Sequence, residues 1–268
     1  MKNLKEKIVL ITGGGSGIGK IMTRLMLERK ATVVIWDISQ ANIDATLLEL
    51  SGKGNVVGFR VDVTNIAQIQ DTAKIVKQQI GIVDVLINNA GIVVGKFFHE
   101  HSVADIANTM EINAIGPMYV AREFLQDMIQ QNSGHICNIA SSGGLISNPK
   151  MSVYAASKWA LIGWSDSVRL EMKELNKDVH LTTIMPYYIN TGMFDGVKSR
   201  IPILDPEAAS LTIVKAIEKN RIMVTLPGYI YRLTRIGQGI LSIGIFDWFA
   251  GKVLGIYKTM EHFTGRKK

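Results

Sequence analysis

The chain has 268 residues, of which 47% are hydrophobic and 20% are charged, a composition typical of a soluble globular protein with a large core. Its one cysteine, Cys137, excludes an internal disulfide and indicates a reducing, cytoplasmic compartment. The formal net charge of +7 is concentrated near the end of the chain, because residues 226–268 contain seven Lys or Arg and only two Asp or Glu.

Short β-branched segments alternate along the chain with longer helical patterns. The first segment, IVLIT, is too short for a signal peptide and runs directly into glycines, so it is predicted as a strand. Strands are predicted at 7–12, 31–37, 55–61, 83–89, 134–140, 179–185 and 222–226. Helices are predicted near 17–29, 39–51, 64–79, 102–131, 152–175 and 206–219.

This alternation predicts an α/β fold, a doubly wound parallel sheet of about seven strands with helices on both faces. Several strand segments are apolar almost throughout, as expected when both faces of a sheet are covered. Two helix starts carry capping signals, since SVAD at 102–105 resembles a capping box and Asp205 precedes Pro206. Ligands of such sheets bind at the carboxyl ends of the strands.

The segment TGGGSGIG, residues 12–19, joins the first strand to the first helix. Its glycines allow a tight turn, and the helix N-terminus offers free N–H groups to a pyrophosphate. Asp37 ends the second strand, where a carboxylate can bond both hydroxyls of an adenosine ribose and repel a 2′-phosphate. Neither the glycine loop nor the positions just after Asp37 carry a basic residue, so the sequence predicts NAD rather than NADP.

Tyr154 and Lys158 lie four residues apart on a predicted helix, so their side chains project from one face. Because a nearby cation favours the charged form of an acid, Lys158 is expected to lower the pKa of the Tyr154 phenol from about 10. Tyr154 would then exchange a proton near neutral pH. The alternative is a tyrosine and a lysine on a solvated helix face.

Together these segments resemble the short-chain dehydrogenase/reductase family over residues 5–225. TGGGSGIG is similar to the family's cofactor loop, NNAG at 88–91 to the motif after the fourth strand, and IASSGGL at 139–145 to the segment with the catalytic serine. The resemblance implies a single Rossmann-type domain over 1–225, which binds the dinucleotide and carries the catalytic residues. Residues 226–268 would form a basic, apolar, helical extension.

The resemblance also assigns roles to individual residues. The implied catalytic residues are Asn113, Ser141, Tyr154 and Lys158. The implied cofactor contacts are Gly13, Gly15, Ser16, Gly17, Ile18, Gly19, Asp37, Ile38, Asp62, Val63, Asn89, Ala90, Gly91, Tyr154, Lys158, Pro186, Ile189 and Thr191.

In the implied mechanism, Tyr154 exchanges a proton with the substrate oxygen while hydride moves between the carbinol carbon and the nicotinamide. Lys158 holds the nicotinamide ribose, and Ser141 stabilises charge on the substrate oxygen. Asn113 fixes a water that relays protons towards Lys158. Ser141 is preferred over Ser142 because it precedes Tyr154 by thirteen residues, the spacing usual in the family.

One segment departs from the family pattern. After the sixth strand the family usually has Pro-Gly, whereas the chain reads PYYINTGMF, with Tyr187 in place of the glycine. The loop is therefore expected to run differently, with its tyrosines lining the substrate pocket.

Within the family, NTGMF and the extended C-terminus look most like the branch of retinol and 17β-hydroxysteroid dehydrogenases. That resemblance implies an NAD-dependent oxidoreductase for a hydrophobic primary or secondary alcohol and its carbonyl, assembled as a homodimer or homotetramer. The alternatives are a non-catalytic dinucleotide-binding sensor and a lipid-surface protein on the same fold. No metal is predicted, because His99 and His101 lack a third ligand, and no nucleic-acid partner is predicted.

The extension 226–268 has apolar residues at helical spacing, interleaved with basic residues and glycines. Its longest uncharged stretch, 236–246, is too short to span a bilayer, which takes about 20 residues. Two interpretations remain open: helices that cap the substrate cleft or form a dimer contact, and a segment that rests on a membrane surface. The hypothesis is that the extension does both.

Overall fold

The computed structural model describes residues 3–265 of the chain. Its seven strands are β1 (Ile8–Thr12), β2 (Thr32–Asp37), β3 (Val56–Arg60), β4 (Val85–Asn88), β5 (Gly134–Ile139), β6 (Val179–Pro186) and β7 (Met223–Leu226). Its α-helices are α1 (Gly17–Glu28), α2 (Gln40–Glu49), α3 (Ile66–Gln79), α4 (Val103–Met110), α5 (Gly116–Gln130), α6 (Ser152–Glu174), α7 (Pro206–Glu218), α8 (Tyr229–Ile240) and α9 (Ile243–Trp248).

All seven strands pair in parallel, in the order β3-β2-β1-β4-β5-β6-β7. The strand order reverses between β1 and β4, which creates a crevice outside the carboxyl ends of these two strands. The predicted fold class, a doubly wound parallel sheet of about seven strands, is confirmed.

Alternate residues of the central strands enter two different cores. Val9 and Ile11 of β1 pack with α1 and α7, whereas Leu10 between them packs on the opposite face with residues of α3 and α5. All three side chains are fully buried. The sheet therefore has helices on both faces, which explains why its strands read as continuous apolar runs.

Both predicted helix starts are confirmed. Ser102 and Asp105 form a reciprocal capping box at α4, and Asp205 accepts a hydrogen bond from Ala208 N at the start of α7. The single helix predicted over 102–131 is wrong in one respect, since a π-helical turn at Glu111–Ile115 separates α4 from α5. Pro117 has no N–H for a regular α-helical bond, which favours a break of the helix at this point.

Beyond β7 the chain continues as α8, α9, a π-helical turn at Phe249–Val253 and a short 3₁₀ turn at Ile256–Lys258. Within residues 3–265, no helix combines the length and apolarity needed to cross a membrane. The net charge predicted for the extension includes Arg266, Lys267 and Lys268, which lie outside the described residues.

The imidazole of His135, on β5, is fully buried and shares a hydrogen bond of 2.8 Å with Thr182 Oγ1. Burial, and to a smaller extent the nearby His180, lowers the pKa of His135 to about 3. Because the unfolded chain binds this proton below about pH 6.5 and the folded chain does not, acid must destabilise the fold.

We expect a His135→Asn variant to lose this part of the acid sensitivity. The free energy of unfolding of the wild type should fall relative to that of the variant by about 1.4 kcal/mol for each pH unit below 6.5. Urea unfolding of both proteins between pH 7 and pH 5 measures the difference. A constant difference over that range would contradict the prediction.

Candidate active site

The glycine loop between β1 and α1 is built so tightly that side chains would not fit at some positions. Gly13 and Gly17 have positive φ angles of 64° and 53°, which favour glycine. A Cβ atom at Gly19 would lie 2.0 Å from the carbonyl oxygen of Gly13 and 2.7 Å from the side-chain Nδ2 of Asn89. The first turn of α1 can therefore approach the loop closely, and its N-terminus faces the crevice.

The carboxylate of Asp37 is buried at the end of β2. Its Oδ2 accepts a hydrogen bond from Gly15 N at 3.0 Å, and its Oδ1 accepts one from Ser39 N at 3.0 Å. Asp37 therefore fixes the glycine loop to the second strand. Pairing of β2 with β3 places Arg60 beside the same region, where its Nε donates to the carbonyl oxygen of Ile38 at 3.2 Å.

The segment after β4 is fastened to the glycine loop by side-chain hydrogen bonds. Thr12 Oγ1 accepts bonds from the backbone N–H groups of Asn89 and Ala90, at 3.0 and 3.1 Å. Asn89 Nδ2 donates to the carbonyl oxygens of Thr12 and Gly13. The ends of β1 and β4, which flank the crevice, are thus joined by hydrogen bonds.

Asn113 lies in the π-helical turn and is fully buried. Its Oδ1 accepts from Ile92 N and its Nδ2 donates to Ile92 O, both at 2.9 Å, while Nδ2 also donates to Ser157 Oγ. The side chain therefore holds the segment after β4 against α6. π-Helical turns of this kind are frequent at functional sites.

Ser141, Tyr154 and Lys158 converge beside this turn. The ammonium group of Lys158 is buried, lies 5.8 Å from the centroid of the Tyr154 ring and donates to Ile139 O at 2.9 Å. The Ser141 hydroxyl faces the Tyr154 phenol, and Ser141 Oγ accepts a hydrogen bond from Gly143 N. The alternative of a solvated face is wrong, since both Tyr154 and Lys158 are about 95% buried, at 5% exposure each.

The expectation that Lys158 lowers the pKa of Tyr154 is wrong for this structure. Burial raises the pKa of Tyr154 to about 12, and the Ser141 hydroxyl that faces it only partly opposes that rise. Burial also lowers the pKa of Lys158 to about 8. Both shifts have the same cause, because removal from water disfavours the charged form of each group.

A cleft of about 140 Å³ runs from the glycine loop to Tyr154, and we refer to it as the glycine-loop cleft. The predicted residues that line it are Gly13, Ser16, Gly17, Ile18, Asn89, Ala90, Gly91, Ser141, Tyr154, Lys158, Pro186, Ile189 and Thr191. The predicted residues outside its lining are Gly15, Gly19, Asp37, Ile38, Asp62, Val63 and Asn113.

The residues outside the lining support the cleft from behind or lie further along the sheet edge. Asp62 accepts hydrogen bonds from the N–H and the hydroxyl of Thr64, which shapes the turn after β3. Val63 packs beneath Gly116, where a Cβ atom would lie 2.9 Å from the carbonyl oxygen of Val63. Ile38, which directly follows β2, is 60% exposed.

A second and larger cavity, of about 490 Å³, adjoins the glycine-loop cleft, and we call it the apolar cavity. Ser141, Tyr187 and Phe194 line both spaces, so the two meet at the serine. Tyr187 and Tyr188 both line the apolar cavity, as predicted for the tyrosines that follow Pro186. Much of the remaining lining comes from α8, α9 and the π-helical turn at Phe249–Val253.

Several lining residues were not predicted as site residues. Phe194 packs edge-on against the Tyr154 ring, with 6.1 Å between centroids, and Met193 lines the glycine-loop cleft. Ile92 and Ile139 contribute through backbone contacts to Asn113 and Lys158. Ile92 directly follows NNAG and Ile139 begins IASSGGL, and these positions are the sequence clue to both residues.

The geometry also bears on the candidate metal ligands. Across residues 3–265 no three His, Cys, Asp or Glu side chains are arranged to hold a metal ion. His99 lies in an exposed 3₁₀ turn at Phe98–Glu100. The absence of a metal remains a prediction.

Comparison with known proteins agrees with the geometry. The family model described as short chain dehydrogenase matches residues 7–201. Epidermal retinol dehydrogenase 2 from Mus musculus is 34% identical over all of this chain and 88% of its own length. 17-Beta-hydroxysteroid dehydrogenase 13 from Mus musculus is 31% identical, with 85% of this chain and 76% of its own length covered.

A solved structure has the same architecture. The short chain dehydrogenase/reductase SDR from Burkholderia phymatum, in complex with NAD, superimposes with a TM-score of 0.82 at 26% identity, and the match covers 89% of this chain and 95% of that chain. The matched family model, the curated relatives and the shared fold lead to one conclusion. The chain belongs to the short-chain dehydrogenase/reductase family of oxidoreductases.

Proposed function

We propose that the protein interconverts a hydrophobic primary or secondary alcohol and its carbonyl, with NAD as the hydride acceptor or donor. The observation that carries this proposal is the position of Ser141, which lines both the glycine-loop cleft and the apolar cavity. A cavity of about 490 Å³ lies within the usual range for small-molecule sites. Its apolar lining favours a retinoid, a steroid or a long-chain lipid alcohol.

The glycine loop fits a dinucleotide because its backbone can approach a pyrophosphate where side chains could not. Gly13 and Gly17 line the cleft, and the N-terminus of α1 supplies free N–H groups. Lys158 lines the same cleft and would hold the nicotinamide ribose. NAD, when bound, supplies the hydride chemistry.

Tyr154 is proposed as the group that exchanges a proton with the substrate oxygen. Its pKa of about 12 keeps the phenol protonated at neutral pH, so in carbonyl reduction it can donate that proton directly. Ser141 would hydrogen-bond the same oxygen and stabilise the charge that develops on it. In alcohol oxidation the phenol must first lose its proton, so its pKa would have to fall. A cofactor bound next to Lys158 would change the electrostatic surroundings of the phenol in this way.

Asn113 is proposed as a positioning residue. Its side-chain N–H groups donate to Ile92 O and Ser157 Oγ and its Oδ1 accepts from Ile92 N, so the side chain fixes the position of this turn beside Lys158. We propose further that the protein acts as a homodimer or homotetramer, and that the extension contacts a membrane surface.

A turnover screen tests the proposed function. Retinoid, steroid, sphingoid and fatty alcohols would be offered with NAD or with NADP, and the corresponding carbonyls with the reduced cofactors. We expect NAD-dependent oxidation of at least one hydrophobic alcohol and little activity on short polar alcohols. Dinucleotide binding without turnover across the whole panel would instead favour the sensor alternative.

Cofactor choice is tested at Asp37. Asp37→Asn removes the negative charge while keeping an oxygen that can accept from Gly15 N or Ser39 N. We expect the ratio of kcat/KM for NAD over NADP to fall by about tenfold or more, because repulsion of the 2′-phosphate is relieved. Asp37→Ala should also lower this ratio, but it should weaken the binding of both cofactors, because the glycine loop loses its hydrogen bond to Asp37.

Arg60 provides the matched control for this experiment. Because its guanidinium lies beside Ile38, it can reach a 2′-phosphate once the carboxylate charge is gone. Adding Arg60→Ala to Asp37→Asn should therefore remove most of the gain with NADP. A wild-type protein that already prefers NADP would show that Asp37 does not select the cofactor.

A further inference from the structure

The wall of the apolar cavity contains a few polar side chains, and several of them already have partners in the protein. Tyr187 Oη shares a hydrogen bond of 2.8 Å with Ser199 Oγ. Tyr188 Oη shares one of 2.9 Å with Thr259 Oγ1, and Asn148 Nδ2 donates to both of these oxygens, at 3.1 and 2.8 Å. These groups therefore join the walls of the cavity to one another.

Two hydroxyls in the same wall have no such partner. Ser142 and Thr234 both line the apolar cavity, at 9% and 3% exposure. Within residues 3–265 neither hydroxyl forms a hydrogen bond. Buried hydroxyls are normally hydrogen-bonded, because an unpartnered one costs free energy. Two such groups on one cavity therefore indicate a place where a ligand atom can bind.

Thr234 differs in this respect from other buried threonines in helices. Thr23 and Thr109 are fully buried, and the Oγ1 of each donates to the carbonyl oxygen four residues earlier, at 3.0 and 2.7 Å. This local bond is a common way for a helical threonine to satisfy its hydroxyl. Thr234, on α8, forms no bond of this kind among the residues that the structure describes. Its hydroxyl is therefore available to the cavity.

α8 brings Thr234 towards the segment that contains Ser142. Thr234 and Gln238 lie one turn apart on one face of this helix. Gln238 Nε2 donates to Leu145 O at 2.9 Å, and Leu145 N donates in turn to Ser142 O at 2.9 Å. The face of α8 that carries Thr234 therefore lies against the turn after β5, and the two hydroxyls belong to neighbouring parts of the wall.

Ser142 also lies close to the proposed reacting centre. It directly follows Ser141, and consecutive Cα atoms are about 3.8 Å apart. The backbone of Ser141 is extended, with φ −168° and ψ 155°, so the two side chains point to opposite sides. Ser141 lines both the glycine-loop cleft and the apolar cavity, whereas Ser142 lines the apolar cavity alone. A substrate whose reacting oxygen meets Ser141 would thus extend past Ser142.

The chemistry of the wall restricts which group these hydroxyls can bind. A hydroxyl can both donate and accept, so it suits another hydroxyl or a carbonyl oxygen. Among the described residues that line the apolar cavity there is no Asp, Glu, Lys, Arg or His. A carboxylate or an ammonium group on the ligand would therefore lose its hydration without gaining a counter-charge. The wall favours a neutral oxygen.

We propose that Ser142 and Thr234 form a second oxygen-binding subsite, and that the substrate is a neutral apolar alcohol with a second oxygen, such as a diol or a hydroxyketone. This proposal rests on the proposed function and narrows its substrate class. An alcohol with a single oxygen would exclude water from the cavity and leave both hydroxyls unpartnered, which costs affinity. A diol satisfies them while its other oxygen meets Ser141.

Substrate discrimination tests the subsite. Steroid diols that differ in the position of the second hydroxyl are each compared with the mono-alcohol that lacks only that hydroxyl. Both kcat/KM with NAD and the Kd in the presence of NAD are measured. For the diol that the wild type favours most, we expect the ratio of diol to mono-alcohol in kcat/KM to fall about fivefold in Thr234→Val and in Ser142→Ala, the effect of one neutral hydrogen bond. The double variant should lose more than either single variant.

Thr212→Val is the matched control. Thr212 is exposed on α7, far along the chain from the cavity-lining segments, and its hydroxyl donates to Ala208 O at 2.8 Å. This variant should keep the wild-type ratio of diol to mono-alcohol. Thermal unfolding without ligand gives a second readout. Thr234→Val should unfold at the wild-type temperature or above it, because it removes a hydroxyl without a partner. A clearly lower temperature would show that the hydroxyl serves the fold and would overturn its assignment to a ligand.

Failure of the subsite and failure of the proposed function give different results. If no alcohol is turned over but the affinity for the diol falls selectively in Thr234→Val and Ser142→Ala, the subsite is supported and the proposed reaction fails. If alcohols are turned over but the ratio of diol to mono-alcohol is the same in the wild type and both variants, the subsite is overturned. An equal loss for diol and mono-alcohol also overturns it, because the two side chains would then only shape the cavity.

Discussion

Tyr154→Phe is expected to lower kcat by about 100- to 10,000-fold, the usual contribution of a general acid or base. The substitution keeps the aromatic ring, so its edge-on packing against Phe194 should survive. It removes the hydroxyl that is proposed to exchange a proton with the substrate oxygen and that faces Ser141. The measurement is steady-state turnover with the best alcohol from the screen, together with a titration of NAD binding that should remain near the wild-type value.

Tyr187→Phe is the control for this variant. Tyr187 also lines both the glycine-loop cleft and the apolar cavity, but its hydroxyl is bonded to Ser199 at 2.8 Å. Loss of that hydroxyl should change turnover by no more than a few-fold. The comparison therefore distinguishes the loss of a nearby tyrosine hydroxyl from the loss of the hydroxyl proposed to react. If Tyr154→Phe kept half of the wild-type kcat, Tyr154 could not be the proton-exchanging group.

The buried pair Tyr154 and Lys158 illustrates how position in the sequence and environment make separate contributions. Their four-residue spacing sets the direction of both side chains, and that direction was predictable. Their pKa values depend on how completely α6 is covered by Phe194, Ser141 and the segment after β4. That coverage comes from residues distant in the sequence, so the sign of the shift on Tyr154 was not accessible from its neighbours.

The sheet was predictable because its signals are local. Each strand carries an apolar β-branched run, and the glycine loop, Asp37 and the capping residues are recognisable from short segments. The break of the helix at the π-helical turn was not predicted, although Gly116 and Pro117 mark it. Periodicity continues through the break, so the apolar pattern alone does not reveal it.

The apolar cavity could not be located from the sequence. It forms where the loop after β6 meets the extension, and its contacts join residues more than 70 positions apart, as in the bond between Tyr188 and Thr259 at 2.9 Å. Helical spacing in the extension indicated amphipathic segments, but not which face would meet the body of the protein. Arg60 illustrates the same limit, because β-strand pairing and not sequence proximity brings it to Ile38.

Gly19→Ala is expected to produce the second large effect, through the shape of the glycine loop. The added methyl group would lie 2.0 Å from the carbonyl oxygen of Gly13, so α1 must move away from the loop or the loop must open. Overpacking of this kind lowers the free energy of unfolding by about 1–3 kcal/mol. A shift of the N–H groups that are proposed to bind the pyrophosphate should also raise the Kd for NAD about tenfold or more, since tenfold corresponds to only about 1.4 kcal/mol.

Gly163→Ala separates this effect from a general response to alanine in a helix. Gly163 lies in α6, and a Cβ atom there would meet nothing within 4 Å. Alanine should therefore stabilise that helix by up to about 1 kcal/mol and leave NAD binding unchanged. Isothermal titration with NAD and thermal unfolding of the three proteins test both expectations. Wild-type affinity and wild-type stability in Gly19→Ala would mean that the loop has room the structure does not show, and the close approach of α1 would then not be required for cofactor binding.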